Sequence, residues 1–278
     1  MDLTHSVAIV TGGGSGIGRA SALALAEAGA NVMIADIDGS RAQAVADEIT
    51  AAGARAYGIA LDVTLDDSHA HLRDAAMSRF GRIDVVMNNV GVVTIGPPHE
   101  IPLQEWLRVI DVNLVSIVRS NEVFVPHMLE QGHGHLVYTA SSEGLFRAQW
   151  NQAPYSATKA AVVALCDSLW MYLHPLGIGV TCVAPGPVIT NIVEQIRTFG
   201  DAGPMVGPNL PLIEPDSVGD AVVRAIRDNA YMVYTHTGMA ETAARAAADR
   251  EAYLSGELHR VADVMSGAAP PPWELAAD

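Results

Sequence analysis

The chain has 278 residues, half of them apolar, with 31 acidic against 16 basic side chains and a formal charge of −15. That length suits one large domain with a sizeable core, and so few Lys and Arg cannot neutralise a run of phosphates, which argues against a nucleic-acid partner. The two cysteines, Cys166 and Cys182, stand far apart in apolar runs; no disulfide framework or CxxC pair is suggested, and reduced thiols in a cytoplasm are expected.

In chain order, "VAIVT" at 7–11 has the length of a buried strand and is too short for a signal peptide or a membrane span. Further β-branched apolar runs predict strands at 31–36, 56–62, 83–89, 135–141, 179–184 and 231–236. Their continuous apolar character marks strands covered on both faces. Helical periodicity fills 16–29, 39–52, 66–80, 103–131, 154–175 and 216–228. Strict alternation of the two implies an α/β fold: a doubly wound, Rossmann-like parallel sheet of about seven strands with helices on both faces.

Residues 186–215 break that rhythm with five prolines and four glycines, too long for an ordinary connection and suited to a lid or binding loop. After 238 an Ala-rich amphipathic stretch predicts one extra helix. Its polar face is mixed in charge, which suits packing on a neighbouring subunit or over the active site better than a membrane. The closing "GAAPPPWELAAD" resembles a tail. The expected organisation is a single domain over 1–278, with a core at about 5–236 and a C-terminal extension at 239–278.

The first predicted strand runs into "TGGGSGIGRA", with Gly12, Gly16 and Gly18 spaced as TGxxxGxG ahead of a helix. Such a turn lets the backbone approach a pyrophosphate while the helix N-terminus offers free N–H groups. The spacing departs from GxGxxG, and a glycine-rich turn alone is also compatible with a simple tight turn. Asp36 closes the second strand, where a carboxylate can accept from the adenosine ribose hydroxyls; as a bare turn or capping Asp it would carry no such meaning. A carboxylate there repels a ribose 2′-phosphate, and neither "DIDGS" nor Ser15 supplies a cation to offset it, so NAD is favoured over NADP. Asp62 and Val63, ending the third strand, are placed to meet the adenine edge.

In "APYSATKAAVVAL", Tyr155 and Lys159 are four apart and share one helix face. A phenol with a pKa of ~10 is a poor acid or base at neutral pH, but a close ammonium stabilises the phenolate and lowers that value. The pair alone is equally compatible with a Tyr beside a snorkelling Lys. Thirteen residues upstream, Ser142 in "YTASSEG" ends the fifth strand at the same carboxyl edge, where ligands bind in open parallel sheets. Its hydroxyl could hold a reacting oxygen while Tyr155 transfers the proton. Ser141 competes for that role but reads as structural, because neighbouring side chains face apart.

Taken together these residues resemble the short-chain dehydrogenase/reductase family. The chain matches TGxxxGxG as "TGGGSGIG", NNAG as "NNVG" at 88–91, the catalytic Ser as Ser142, YxxxK as "YSATK" and the PG motif as "PGPVIT" at 185–190. The resemblance implies an NAD-dependent oxidation of a secondary alcohol to a ketone, or the reverse. It implies Asn113 as a fourth catalytic residue holding a water behind the Lys, and Lys159 on the nicotinamide ribose. Asn89 and Gly91 would line the cofactor, Val188 and Thr190 would meet the carboxamide, and Ser15, Ile17, Ile37, Pro185 and Gly186 would complete the lining. Val90 replaces the usual Ala, and the usual glycine-rich C-terminal segment is absent, which puts the tetramer geometry in question although a dimer or tetramer is expected.

Leu145 and Trp150, with Ile192 in the 186–215 loop, suggest a bulky apolar or aromatic substrate; ordinary loop packing explains them as well. His133 and His135 in "GHGH" lack a third ligand, so a polar turn is expected there and no metal. Two other functions compete with this reading: a sugar-nucleotide epimerase, for which little chain is left to build a substrate domain, and a NAD-binding sensor with a vestigial site.

Overall fold

In the computed structural model, which describes residues 1–146, 149–203 and 205–270, β1 (Val7–Thr11) is followed by α1 (Gly16–Glu27), β2 (Asn31–Asp36), α2 (Gly39–Ala51), β3 (Ala56–Ala60), α3 (Ser68–Phe80) and β4 (Val85–Asn88). A two-residue strand, β5 (Thr94–Ile95), precedes α4 (Leu103–Ile110), α5 (Ser116–Gln131), β6 (Gly134–Thr139), the single turn α6 (Ser142–Leu145), α7 (Ala153–Leu173) and β7 (Ile178–Ala184). The chain continues through β8 (Arg197–Thr198), α8 (Pro215–Asp228), β9 (Met232–Tyr234), α9 (Met239–Ala248) and α10 (Arg250–Ser266). Residues 271–278 of the expected tail lie outside the described residues.

Seven strands form one parallel sheet in the order β3-β2-β1-β4-β6-β7-β9. Alternate side chains of each strand feed opposite cores, the period of two that a pleated strand imposes. Ala8, Val10, Val32 and Ile34 pack under α1, α2 and α8, whereas Ile9, Met33, Val86 and Leu136 pack under α3, α5 and α7. Each fully buried Leu or Ile contributes roughly 1.5–3 kcal/mol; β1, β4, β6 and β7 are buried along their whole length, whereas the edge strand β3 is half-buried to exposed. The order reverses between β1 and β4, so the crevice beyond their carboxyl ends is the natural ligand groove.

Local signals set the helix ends. Asp38 caps α2 by accepting from the Ser40 and Arg41 amides, and left-handed Gly81 and Gly132 end α3 and α5. The stretch expected as one helix over 103–131 is broken by a π turn at Asp111–Val115. Hydrophobic periodicity runs straight across it, so the sequence carries no mark of the extra residue in that turn. The C-terminal stretch is two helices rather than one, because the Asp249 side chain caps α10 through the Ala252 amide. Far from the groove, His133 contacts Asp84, Arg82 and Gln131, and His135 bonds Thr181. No helix among the described residues is long and apolar enough to cross a membrane.

Candidate active site

The glycine turn leaves β1 with Gly12 at φ +63°, and a Cβ on Gly18 would stand 2.1 Å from the Gly12 carbonyl oxygen. Only glycine fits so close an approach of helix and turn. The Asn89 carboxamide donates to that same oxygen at 3.3 Å, and the Asn89 amide donates to Thr11 Oγ1 at 3.1 Å. Thr139 Oγ1 donates to Asn89 Oδ1 at 3.1 Å, so the ends of β1, β4 and β6 are tied at one edge. Val90 fits there too, its Cγ2 being 3.2 Å from where a Gly12 Cβ would lie.

Asp36 Oδ2 accepts from the Gly14 amide at 2.9 Å, and its other oxygen accepts from the Asp38 amide. The carboxylate is held over the turn at the groove, with Ile37 open to solvent beside it. Asp62 accepts from the Thr64 amide and hydroxyl, which makes it a turn former at the end of β3, and Val63 is buried. Arg41, one residue past "DIDGS", comes closer than its place in the sequence suggested. Its Cβ lies 2.8 Å from where a Gly14 Cβ would be, but its guanidinium faces Asp38 at 3.5 Å and Glu194 at 3.6 Å. Three carboxylates therefore surround this end of the groove. Across it, the Thr190 side chain lies against Gly16.

Tyr155 and Lys159 lie one turn apart on α7, with Lys159 Nζ 5.7 Å from the Tyr155 ring centroid. The ammonium is buried and donates to the Thr139 carbonyl at 2.7 Å. Burial lowers the Lys159 pKa to about 8 and raises that of Tyr155 to about 12, with a Ser141 hydrogen bond pulling down and the Glu143 charge pushing up. The expectation that Lys159 would leave the phenol below its usual value is thus corrected: desolvation outweighs an ammonium held off by Thr139.

The expectation for the serine is corrected as well. Ser141, not Ser142, presents its hydroxyl to Tyr155. Ser141 is the extended residue that caps α6, its Oγ also accepting from the Glu143 amide at 3.2 Å. Ser142 is the first residue inside that turn, and its amide donates to the Pro185 carbonyl at 2.8 Å. The α6 turn then lies directly on α7, since a Cβ on Gly144 would come within 2.6 Å of the Lys159 carbonyl oxygen. Asn113 is buried in the π turn, accepting from the Val92 amide at 2.8 Å and donating to the Val92 carbonyl at 3.0 Å and to Thr158 Oγ1 at 3.2 Å. A Cβ on Gly91 would sit 3.3 Å from Lys159 Nζ and 3.7 Å from Asn113 Oδ1, so the bare backbone there leaves a cradle beside the ammonium.

An apolar cluster of Val93, Ile95, Ala202, Ile192, Ile196 and Met205 packs with Tyr155. Its Ile95 belongs to β5, which pairs in parallel with β8. Of the three residues expected near the substrate, Ile192 belongs to this cluster. Leu145 packs instead with Phe146, Leu210 and Met239 toward α9, and Trp150 lies exposed beside Gly203. The sequence expectation weighed Ser141 but read it as structural, and it named neither Val93 nor Ile95, which stand in "VGVVTIG".

A family model described as short chain dehydrogenase matches residues 6–200. The chain is a short-chain dehydrogenase. It is 36% identical over 232 residues to the cis-4-hydroxycyclohexanecarboxylate dehydrogenase of Sinomonas cyclohexanicum, covering 82% of this chain and 91% of that one. It is likewise 36% identical over 239 residues to the 1-deoxy-11-beta-hydroxypentalenate dehydrogenase of Streptomyces avermitilis, covering 85% and 86%. Among solved structures, a short-chain dehydrogenase/reductase from Burkholderia phymatum in complex with NAD superposes with a TM-score of 0.77 at 28% identity, over 99% of both chains. This short-chain dehydrogenase is an oxidoreductase, and the Gly12–Gly18 close approach, the Asp36 carboxylate over the glycine turn and the bare Gly91 backbone beside Lys159 fit a dinucleotide cofactor such as the NAD of that neighbour.

Proposed function

We propose that this chain is an NAD-dependent dehydrogenase interconverting a secondary alcohol, its carbinol flanked by bulky apolar carbon, and the matching ketone. The observation that carries this reading is the Tyr155 phenol, met by the Ser141 hydroxyl and packed against an apolar wall of Val93, Ile95, Ile192 and Met205. Ring alcohols suit such a wall, and the two relatives above are named for cyclic hydroxy acids. Asp36, Asp38 and Glu194 at the adenosine end support NAD over NADP, because a ribose 2′-phosphate would meet them as a like charge.

In alcohol oxidation Ser141 donates to and orients the substrate oxygen, and Tyr155 accepts its proton. With its pKa raised to about 12 by burial, Tyr155 is a reluctant base by itself. Lys159, at about 8, is still mostly cationic at neutral pH and stabilises the phenolate form in which Tyr155 takes that proton. Asn113 fixes the Val92 backbone and Thr158, whose hydroxyl donates to the Tyr155 carbonyl at 2.8 Å. When bound, the nicotinamide ring supplies the hydride acceptor or donor. The protein's share is orientation and exclusion of water. The working form in this reading is a cytoplasmic homo-oligomer of two or four single-domain chains, which sedimentation would report directly.

The test is NADH titration followed by turnover of NAD⁺ with cyclohexanol, 1-phenylethanol and 1-indanol. Wild-type protein should bind NADH and oxidise members of this panel; Tyr155→Phe should bind NADH as well and lose turnover by about three orders of magnitude. Unchanged turnover in that variant sinks the mechanism, and binding without any turnover favours a sensor.

A further inference from the structure

Between the last strand of the sheet and the substrate loop lies a side chain that the mechanism does not use. His236 follows β9 by two residues and is buried. Its Nε2 lies 2.9 Å from the Pro211 carbonyl oxygen and its Nδ1 lies 2.8 Å from Thr235 Oγ1. A carbonyl only accepts, so the proton is on Nε2, and Nδ1 accepts from the Thr235 hydroxyl. Thr235 Oγ1 in turn accepts from the Gly186 amide at 3.0 Å. Two adjacent side chains thereby hold both ends of the loop, Gly186 where it leaves β7 and Pro211 where it returns. Burial lowers the imidazole pKa, against hydrogen bonds to the Pro211 and Pro187 carbonyls that raise it.

The packing leaves no play in this joint. A Cβ on Gly186 would fall 2.7 Å from His236 Cε1 and Nδ1 and 3.0 Å from Leu210 Cδ1, so the ring lies flush on the main chain. The neighbouring loop ends are also paired: Val188 bridges Ile213, the Ile189 amide donates to the Ile213 carbonyl at 2.9 Å and the Ile213 amide to the Pro187 carbonyl at 3.2 Å. One residue before Gly186, the Pro185 carbonyl accepts the Ser142 amide, and Ser141 beside it reaches Tyr155. A shift at Gly186 thus reaches the site in two directions, through Val188 and Thr190 toward the cofactor groove and through Pro185 toward the serine. At the tip of the same loop Ile192, Ile196 and Met205 form the wall against Tyr155.

We propose that His236, with Thr235, is a positioning residue of this dehydrogenase: it rivets both roots of the 186–213 loop to the end of β9 and so sets the nicotinamide-side segment and the substrate wall. It touches neither substrate nor the reacting atoms. Without it the loop stays attached through the Val188–Ile213 bridge but its roots gain freedom, and displacements near 1 Å can cost about a hundredfold in rate. The inference rests on the dehydrogenase reading only for its kinetic readout.

The experiment compares wild type, His236→Ala, His236→Gln and Thr235→Val. Three quantities are read: hydrogen exchange of peptides spanning 186–213, NADH affinity by fluorescence, and kcat and KM for 1-phenylethanol. Glutamine offers one donor and one acceptor at similar reach, and valine removes only the link to Gly186. For His236→Ala the expectation is exchange in 186–213 faster by about tenfold, NADH affinity weaker by about fivefold and KM raised more than kcat falls, with helix peptides of α5 and α7 unchanged. His236→Gln should recover most of each, and Thr235→Val should share the loop and NADH effects even if His236→Ala fails to fold. Unchanged exchange and NADH affinity in the alanine and valine variants overturns the proposal, as does a glutamine variant no better than alanine. If the wild type oxidises no alcohol, the function reading falls, while exchange and NADH binding still decide the rivet.

Discussion

Asn113 was named only through the family resemblance, whereas Tyr155 and Lys159 were legible as a pair because their spacing puts them on one helix face. The serine was not, since "TASSEG" offers two adjacent hydroxyls and the chain between them and Tyr155 has no regular period from which to count. What decides is the cap: Ser141 in extended backbone turns its Oγ to the Glu143 amide and to Tyr155, while Ser142 starts the turn and commits its amide to Pro185. Ser141→Ala should therefore cut kcat by about a hundredfold with NADH affinity kept, and Ser142→Ala should stay within about fivefold of wild type. The reverse ranking, in steady-state kinetics with an active alcohol from the panel, would restore the original assignment.

Among the elements, the main-sheet strands were visible as unbroken apolar runs, and their positions agree to within a few residues with those expected. The β5–β8 pair was hidden because two-residue strands leave no pattern, and what holds them is a buried charge rather than a core. Glu105 accepts from Thr94 Oγ1 at 2.6 Å, from Arg108 at 2.6 and 2.9 Å and from Arg197 at 3.0 Å, so α4, β5 and the substrate loop meet on one carboxylate. Burial pushes its pKa up, yet the bonds from Arg108, Thr94 and Arg197 win and bring it to about 2. A folded value below the unfolded one means a stabilisation present above about pH 4.5 and lost as pH falls toward 2. Glu105→Gln should cost about 1–3 kcal/mol at neutral pH, flatten that acid limb in urea melts and raise substrate KM. An unaltered acid limb would show that Glu105 is not its source.

At the scale of the whole molecule, the C-terminal helices are part of the catalytic half rather than an appendage. Met239 and Ala246 of α9 are buried with Phe146, Ala184 and Leu210, the Tyr253 ring meets Phe146 edge-on, and Arg260 donates to the Gly207 carbonyl at 2.6 Å. The sequence disclosed an amphipathic stretch suited to a neighbouring subunit or to the active site, but it could not choose between them, because a periodic face does not say what it covers. Ending the chain after 238 should uncover Phe146 and Leu210, lower the thermal midpoint by about 5–10 °C and raise KM; a melt matching the full chain would make the helices dispensable. The bare α-carbon of Gly144, pressed on the Lys159 carbonyl, has a further meaning in this assembly. It acts as a gauge of zero thickness between the body carrying the serine and Pro185 and the body carrying Tyr155 and Lys159. Ser142 ties the first body to Pro185, and Gly144 closes the spacing between the two bodies, which the Ser156–Glu143 hydrogen bond at 3.1 Å also spans. Gly144→Ala inserts a methyl-sized shim at that plane, and turnover should fall by about tenfold or more while NADH affinity changes little.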